Sequence, residues 1–248
     1  MGSSRLPGKI LLPLAGRSVM AHVLERCEAI EGVDAVCLAT TIEPADEVTA
    51  KTAESLGVEF FRGSENDLLD RYLRSAEVMD ADVILRVTCD CPLIDPFVCA
   101  EVLRARAREN ADFATNNMPP SFPYGLDCEV FTRAALDMAA RKAKLPSERE
   151  HVGPFIRNNP ALKKVNLNSS VLLNHHYWAL DTEDDRVFLD LLFKLVPIGP
   201  ELWDHRELLK IIPADPVLLA ASTAPTRDNP STKSMMIGAG TVQLVAGG

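Results

Sequence analysis

The sequence lacks several features that would assign it to a specialised class of protein. No CxxC pair occurs among its 6 cysteines, and Cys89 and Cys91 have no second Cys or His pair at zinc-finger spacing. No apolar run reaches the ~20 residues of a membrane-spanning helix, and no charged segment precedes an apolar one as in a signal peptide. We therefore expect a cytoplasmic protein with reduced, structural thiols and no membrane partner.

The sequence also has fewer positively charged than negatively charged residues. The 248 residues include 26 Lys and Arg against 35 Asp and Glu, which gives a formal net charge of -9. Because such a chain repels polyanions, we expect no broad contact with nucleic acid. With 47% hydrophobic and 25% charged residues, the composition is otherwise typical of a globular protein with a sizeable core.

Helical and strand-like hydrophobic patterns alternate through the first half of the chain. Helices are predicted over 19–30, 45–56, 66–79 and 95–109, and short apolar runs typical of buried parallel strands cover 33–41, 58–61 and 81–87. This alternation predicts an α/β fold, with a mostly parallel, Rossmann-like sheet between two layers of helices in a three-layer sandwich.

The second half of the chain is less regular. After a turn-rich segment at 116–125, strands are predicted at 126–131, 163–167 and 177–180, and helices at 133–144, 151–157 and 181–194. We predict one domain over 1–213, in which about 118–180 form a substrate part. Small residues dominate after about Pro213, so residues 214–248 are predicted to be a linker-like tail.

The opening nine residues combine a flexible backbone with positive charge. Gly2, Ser3 and Ser4 allow close approach of the backbone to a ligand, and Arg5 and Lys9 stand on either side of a Pro-Gly bend. Backbone N–H groups in a tight turn bind anions, Arg donates forked hydrogen bonds and Lys supplies a mobile charge. The loop therefore suits phosphate oxygens, although a disordered terminus has the same composition.

This loop, Met-Gly-Ser-Ser-Arg-Leu-Pro-Gly-Lys followed by Ile-Leu-Leu-Pro-Leu, resembles the signature of the spore-coat polysaccharide type cytidylyltransferases. That family is related to the synthetases for CMP-3-deoxy-manno-octulosonate and CMP-neuraminate. The resemblance implies the fold of the nucleotide-diphospho-sugar transferases. It also implies that the loop wraps the triphosphate of CTP, with contacts from Gly2, Ser3, Ser4, Arg5 and Lys9.

A second segment, Arg62-Gly-Ser-Glu-Asn-Asp-Leu-Leu-Asp-Arg-Tyr72, is similar to the part of the family that lies close to the nucleotide. The resemblance implies nucleotide contacts from Asp70 and Arg71. A capped surface helix would carry the same pattern, because Ser64 followed three residues later by Asp67 is a typical helix start. Both interpretations remain open from the sequence.

Two acidic residues follow predicted strands. Asp90 lies in Thr88-Cys-Asp-Cys, directly after the strand at 81–87, and Asp181 lies where Trp178-Ala-Leu-Asp leads into a helix. Open α/β sheets bind ligands at this edge, and carboxylates are suitable ligands for Mg²⁺. As in the family that it resembles, we predict that Asp90 and Asp181 hold Mg²⁺ against the CTP phosphates. The alternative role of Asp181 is a helix N-cap.

Two further motifs resemble the acceptor side of the family. They are Tyr124-Gly-Leu-Asp-Cys-Glu-Val-Phe131 and Arg149-Glu-His-Val-Gly-Pro-Phe155. The resemblance implies that Asp127, Glu129 and His151 lie near the sugar. A single histidine such as His151 is more often structural.

The activity implied by the resemblance is transfer of CMP from CTP to an acidic or amino sugar, with release of pyrophosphate, for surface polysaccharide biosynthesis. Arg5, Lys9 and Asp90 would be catalytic, and Mg²⁺ the cofactor, since positioning and charge neutralisation suffice for in-line attack on the α-phosphorus. The resemblance also implies a possible homodimer, built through about 118–180.

Two other functions stay open. One is a glycosyltransferase that consumes a nucleotide-sugar. The other is an inactive, truncated nucleotide-binding module, because the family has a strand and an Arg just before the position of Met1. That strand is central in the family's sheet, so the neighbouring strands here are expected to have unpaired edges.

Overall fold

The centre of the fold is a seven-stranded mixed sheet. The structure is a computed structural model, and it describes residues 5–196, 203–223 and 241–246. A short hairpin precedes the sheet and consists of β1 (Pro13–Leu14) and β2 (Arg17–Ser18). The strands of the sheet are β3 (Ala35–Thr41), β4 (Glu59–Gly63), β5 (Val83–Thr88), β6 (Phe113–Thr115), β7 (Glu129–Thr132), β8 (Lys164–Asn166) and β9 (Thr241–Ala246).

Helices connect most of these strands. They are α1 (Val19–Glu28), α2 (Glu47–Ser55), α3 (Leu68–Val78), α4 (Pro96–Glu109), α5 (Arg133–Lys142), α6 (Pro146–Glu150), α7 (Gly153–Asn158), α8 (Glu183–Leu195), α9 (His205–Ile211) and α10 (Pro216–Ser222). Side-chain oxygens at their starts fix several of them, as with Asp67 before α3 and Asp95 before α4. The helices and strands predicted up to residue 109 are confirmed, with ends displaced by one to a few residues.

The strand order in the sheet is β4-β3-β9-β5-β7-β6-β8. Strands β3 and β4 pair in parallel, as do β6 and β8, whereas β9 and β7 are antiparallel to both of their neighbours. Five of the seven strands therefore run in one direction. The prediction of a mostly parallel sheet is confirmed.

Successive residues of the central strands pack against helices on opposite faces of the sheet, as the two-residue period of a strand requires. Leu85 of β5 lies in a buried cluster with residues of α1 and α4, and its neighbour Ile84 packs with residues of α3 and α5. A third cluster surrounds the fully buried Trp178 and joins α8, α9 and α10. The predicted three-layer α/β sandwich is confirmed.

One prediction around residue 180 is wrong, and one alternative is excluded. Residues 177–180 form no strand of the sheet, and Tyr177 makes only an isolated bridge to Tyr124. Asp181 is not the N-cap of α8, because Thr182 holds that position in a capping box with Asp185. This leaves the carboxylate of Asp181 available for other contacts.

The prediction that residues 214–248 are a linker-like tail is wrong for two segments. Residues 216–222 form α10, and residues 241–246 form β9 in the middle of the sheet. Strand β9 pairs with both β3 and β5, so the expected unpaired edges are not found there. Residues 224–240 and 247–248 lie outside the described residues.

Within the described residues, no helix is both long enough and apolar enough to cross a lipid bilayer.

Candidate active site

Three chain segments meet beyond the end of β5. Asp90 accepts a hydrogen bond through its backbone oxygen from the Leu180 N–H at 2.8 Å, and the Trp178 N–H donates to the backbone oxygen of Tyr124 at 2.8 Å. Gly125 has φ +104°, and a Cβ there would come within 2.8 Å of the backbone of Trp178 and Ala179. Only glycine therefore permits this close approach. The carboxylates of Asp90 and Asp181 are brought to one place by these contacts.

Lys9 lies between those two carboxylates. Its Nζ donates to Asp90 Oδ2 at 2.6 Å and to Asp181 Oδ1 at 2.9 Å, and Lys9 is only 4% exposed. Arg5 approaches from solvent, with Nη2 3.2 Å from Asp181 Oδ1. The Tyr177 hydroxyl donates to the other oxygen, Asp181 Oδ2. Two cations from the opening loop thus share one acidic pair.

The charges of this cluster stabilise one another. Burial alone would lower the pKa of Lys9, but the carboxylates of Asp90 and Asp181 outweigh it and raise the pKa above its usual value. Burial would likewise raise the pKa of Asp181, but Lys9, the Tyr177 hydrogen bond and Arg5 bring it below its usual value. The cluster is therefore charged at neutral pH, with a protonated amine and an ionised acid.

The donor set of this cluster fits Mg²⁺, which prefers carboxylate oxygens and keeps several ligands from water or phosphate. Asp90 and Asp181 each have a second carboxylate oxygen besides the one that contacts Lys9. Among the residues that the structure describes, no group of three or more His, Cys, Asp or Glu side chains forms a metal cage. A cation here would need oxygens of the nucleotide or of water to complete its coordination.

Glu129 is buried and held by two arginines. Arg86 Nη1 donates to Glu129 Oε2 at 2.8 Å, and Arg157 Nε donates to Glu129 Oε1 at 2.9 Å. Although burial opposes ionisation, Arg157 and Arg86 keep the pKa of Glu129 below its usual value. A Cβ on Gly153 would come within 2.8 Å of Glu129 Oε1, so this position suits glycine. Glu129 is thus a fully paired carboxylate rather than an exposed contact.

Asp127 lies on the same side of the sheet but is bound differently. The Asn117 side chain and the Gly125 N–H lie beside its carboxylate and favour the ionised form. The Asn117 Oδ1 accepts from Thr115 Oγ1 at 3.0 Å and from Arg157 Nη2 at 3.4 Å, so the Asn117 side chain is itself held in place. Burial raises the pKa of Asp127 to about 6, and Arg157 opposes the rise in part.

The motif at 149–155 contacts the segment at 62–72. Arg149 Nε donates to Asp67 Oδ2 at 2.9 Å, and the other oxygen of Asp67 caps α3. His151 is partly buried, and burial lowers its pKa, with Arg86 adding to the effect. Its Nδ1 finds no hydrogen-bond partner among the described residues. His151 is therefore a neutral imidazole close to the Arg86–Glu129 pair.

The two residues assigned to the nucleotide from the second segment differ in environment. Asp70 lies half-buried on α3, with 40% of its side chain accessible, and its Oδ1 lies 3.6 Å from Arg74 Nε. Arg71 is 1% exposed, packs against Gly63 and donates from Nη1 to the backbone oxygen of Ser64 at 3.3 Å. Burial lowers the pKa of Arg71. Asp70 thus lies on the partly exposed face of α3, and Arg71 lies inside the fold.

The structure therefore brings Arg5, Lys9, Asp90 and Asp181 together, and it places Asp127, Glu129 and His151 near one another. Gly2, Ser3 and Ser4 lie outside the described residues. Sequence reasoning missed several polar residues of the site, which are Arg86, Asn116, Asn117, Arg157 and Tyr177. Arg86 offered a signal, because a charged residue inside an apolar strand is rarely buried without a partner.

Comparison with protein-family models identifies the chain. Residues 1–189 match the model of the cytidylyltransferases, so the match includes Lys9, Asp90 and Asp181. The chain belongs to the cytidylyltransferase family. A nucleotidyltransferase that uses CTP is therefore favoured over a glycosyltransferase.

Several relatives of this cytidylyltransferase have curated sequences. An uncharacterized protein of Methanocaldococcus jannaschii is 38% identical over 164 residues, which are 66% of each chain. The spore coat polysaccharide biosynthesis protein SpsF of Bacillus subtilis is 27% identical over 87% of this chain and 92% of its own. The 8-amino-3,8-dideoxy-manno-octulosonate cytidylyltransferase of Shewanella pealeana is 32% identical, but this chain spans only 46% of it.

A solved structure also resembles this cytidylyltransferase along most of its length. The cytidylyltransferase from Leptospira borgpetersenii superposes with a TM-score of 0.80 and 30% sequence identity. The match covers 92% of this chain and 94% of the Leptospira chain. The sheet and the site at its edge therefore lie in a fold that a known cytidylyltransferase shares.

Proposed function

We propose that this cytidylyltransferase transfers CMP from CTP to an acidic or amino sugar for surface polysaccharide biosynthesis, with release of pyrophosphate. The observation that carries the proposal is the cluster in which Lys9 contacts both Asp90 and Asp181, with Arg5 beside it. Cations beside the sheet edge suit a triphosphate, and acids at that edge suit a divalent cation.

The residues divide the work of an in-line displacement. Arg5 and Lys9 bind phosphate oxygens and stabilise the charge that develops as pyrophosphate leaves. Asp90 and Asp181 would hold Mg²⁺, which neutralises phosphate charge when it is bound. Tyr177 orients Asp181 through its hydroxyl, and Arg71 with Asp70 belongs to the segment proposed to lie by the nucleotide.

The acceptor is proposed from the relatives and from the chemistry beside the cluster. SpsF is named for spore coat polysaccharide biosynthesis, and the Shewanella relative for an amino-substituted octulosonate. Asp127, Glu129 and His151 would line the acceptor side, with Glu129 acting through Arg157. The six cysteines are free thiols, which supports a cytoplasmic setting, where CTP is also available.

A homodimer is a further part of the proposal. Val171 and Leu172 are 61% and 65% exposed within the part 118–180, and adjoining apolar side chains at a surface are typical of an interface. Light scattering on the purified chain tests this proposal directly, because the dimer has twice the mass of the 27.1 kDa monomer.

Pyrophosphate release tests the proposed reaction. The purified chain is incubated with Mg²⁺, one nucleoside triphosphate and one acceptor. The acceptors are 3-deoxy-manno-octulosonate, its 8-amino-8-deoxy analogue and neuraminate. We expect pyrophosphate and a CMP-sugar with CTP, and little product with ATP, GTP or UTP. Turnover of a nucleotide-sugar donor without pyrophosphate would instead support the glycosyltransferase.

An Asp90→Asn variant tests the metal ligand. We expect kcat to fall by about 10²-fold or more, because an amide is a weak ligand for Mg²⁺ and no longer pairs with Lys9. Asp34→Asn is the matched control, since Asp34 is exposed and remote from the cluster. Unaltered Mg²⁺-dependent turnover in Asp90→Asn would refute the assignment.

A further inference from the structure

Asp127 differs from the other acidic residues of the site in what holds it. Asp90 and Asp181 are paired with Lys9, and Glu129 is paired with two arginines. Within the described residues, Asp127 forms no ion pair, and the Asn117 amide and the Gly125 N–H, which favour its ionised form, are both uncharged. Its side chain is thus free to gain or lose a proton without breaking a salt bridge.

The loop that carries Asp127 is fixed on both sides. The Asn116 side chain donates to the backbone oxygen of Leu126 at 2.8 Å and accepts from the Cys128 N–H at 3.0 Å. Those two residues flank Asp127, and Asn116 is fully buried. The carboxylate is therefore held in place by its neighbours, as a residue that must meet a substrate in one geometry requires.

The loop that carries Asp127 is joined to the chain segment that leads to Asp181. The Tyr124 N–H donates to the backbone oxygen of His176 at 3.0 Å, and the Trp178 N–H donates to the backbone oxygen of Tyr124 at 2.8 Å. The Tyr124 ring also stacks on Tyr177 with centroids 4.7 Å apart. The Tyr177 hydroxyl in turn contacts Asp181. The acidic pair and Asp127 therefore belong to one site.

We propose that Asp127 is the general base that removes the proton from the acceptor hydroxyl, and that Asn116 and Asn117 are positioning residues for it. This inference rests on the proposed function, because it concerns the acceptor of that same reaction. It separates Asp127 from Glu129, whose two arginines keep its pKa below the usual value and so make it a weaker base.

The step balances as a displacement at phosphorus. The acceptor O–H bond breaks as its proton passes to a carboxylate oxygen of Asp127. The acceptor oxygen forms a bond to the α-phosphorus of CTP, and the bond from that phosphorus to the bridging oxygen breaks. Pyrophosphate leaves with the electron pair, and Asp127 later releases the proton to solvent.

The acidity of Asp127 supports this role. Burial raises its pKa to about 6, with Arg157 lowering it and Glu129 raising it, and a base with a pKa near the working pH is effective. Cys91 and Tyr124 are neutral because burial raises the pKa of each, and Cys128 is neutral because a hydrogen bond with Cys99, together with burial, raises its pKa. Asp127 accepts a proton only when ionised, so the rate must rise with pH through about 6.

Substitution of Asp127 provides the first test. In the pyrophosphate assay with CTP and 3-deoxy-manno-octulosonate, or whichever of the three acceptors is used, we expect Asp127→Asn to lower kcat by about 10²-fold or more. The affinity for CTP, measured by calorimetry, and the melting temperature stay near the wild-type values. Asp127→Glu restores part of the rate. Asp34→Asn is the control and leaves the rate unchanged.

Substitution of Asn117 provides a second test that does not require loss of the carboxylate. Asn117→Ala removes a hydrogen bond that favours the ionised acid, so the pKa of Asp127 rises. We expect the acidic limb of log kcat against pH to move to higher pH. Asn174→Ala is the matched control, because Asn174 is exposed, and its limb stays at the wild-type pH.

The results separate this inference from the proposed function. If the wild-type chain releases no pyrophosphate with any of the three acceptors, both fail. If the wild type is active but Asp127→Asn keeps its kcat and acidic limb, only the general base is overturned. A higher acceptor KM with unchanged kcat overturns it as well, because Asp127 would then only bind the acceptor.

Discussion

Lys9 carries an unusual charge arrangement for a single residue. Its ammonium group is almost completely buried, and two carboxylates contact it directly. The pair is itself poorly exposed, with 19% of the Asp90 side chain and 12% of the Asp181 side chain accessible. Since two such acids repel each other without a cation, Lys9 stabilises the site.

We predict that Lys9→Met makes stability depend on Mg²⁺. Removal of the amine leaves Asp90 without a cation and Asp181 with only the exposed Arg5, at a cost of about 3–5 kcal/mol in the free energy of unfolding. A divalent cation can replace that charge, so added Mg²⁺ should raise the melting temperature of the variant by more than that of the wild type. Thermal denaturation without nucleotide measures both effects.

Lys51→Met is the matched control for that measurement. Lys51 is 70% exposed, and its contact with Glu47 is a surface pair, so its loss changes stability little. An equal response of Lys9→Met and the wild type to Mg²⁺ would contradict a metal site at Asp90 and Asp181.

The sequence identified some residues of this site, but not the residues that only hold other groups of the site in position. Asp90 was found because it follows an apolar strand, and Lys9 because it lies in a loop of recognisable composition. Asn116 and Asn117 were assigned only to a turn-rich segment. Their partners at Leu126 and Thr115 are fixed by the folded geometry of the loop, and side-chain type alone does not determine such pairings.

At the scale of elements, the loop after Pro123 depends on one backbone position. Gly125 has φ +104°, and the backbone of Trp178 and Ala179 lies against it. The same contact aligns the loop after Pro123 with the chain segment that carries Asp181. The geometry of the site therefore depends on the absence of a side chain at this glycine.

We predict that Gly125→Ala disrupts the site, whereas Gly57→Ala does not. Both positions have positive φ, which costs a non-glycine residue about 1–2 kcal/mol. At Gly57 nothing lies within 4 Å of the added Cβ, but at Gly125 it meets backbone atoms at 2.8 Å. Melting temperatures and pyrophosphate release should both fall further in Gly125→Ala. Equal losses in the two variants would show that strain in φ alone matters.

Helices and strands of the first half were predictable because each carries its own periodic pattern and cap. Helix α4 begins at the Asp95–Pro96 pair, as expected. The extended chain at 177–180 was mistaken for a strand because its apolar residues are buried by α8 and its neighbours rather than by sheet pairing. An extended segment that is buried on all sides has the same apolar sequence pattern whether or not it pairs within a sheet.

At the scale of the whole molecule, the sheet is continuous only because β9 lies between β3 and β5. The resemblance to the family placed an upstream strand at the centre of the sheet, and here an antiparallel strand from residues 241–246 occupies a central position. The first four residues of the run Thr-Val-Gln-Leu-Val-Ala alternate between polar and apolar, as in a strand, but the small residues around the run favoured a linker. Because β9 pairs with strands that are far from it in the sequence, no local sequence pattern indicates this pairing.

We predict that β9 is as well protected as the strands beside it. Hydrogen exchange of residues 241–246 should be as slow as that of 83–88, because both strands lie inside the sheet.

Leu244→Pro removes a backbone donor from a central strand and should cost about 3 kcal/mol or more in the free energy of unfolding. Leu244→Ala keeps the donor and is the control. Fast exchange in 241–246, with equal melting temperatures for the two variants, would mean that the sheet does not depend on β9. Because β5 leads directly to Asp90, slow exchange together with a loss of activity in Leu244→Pro would link this strand to the site.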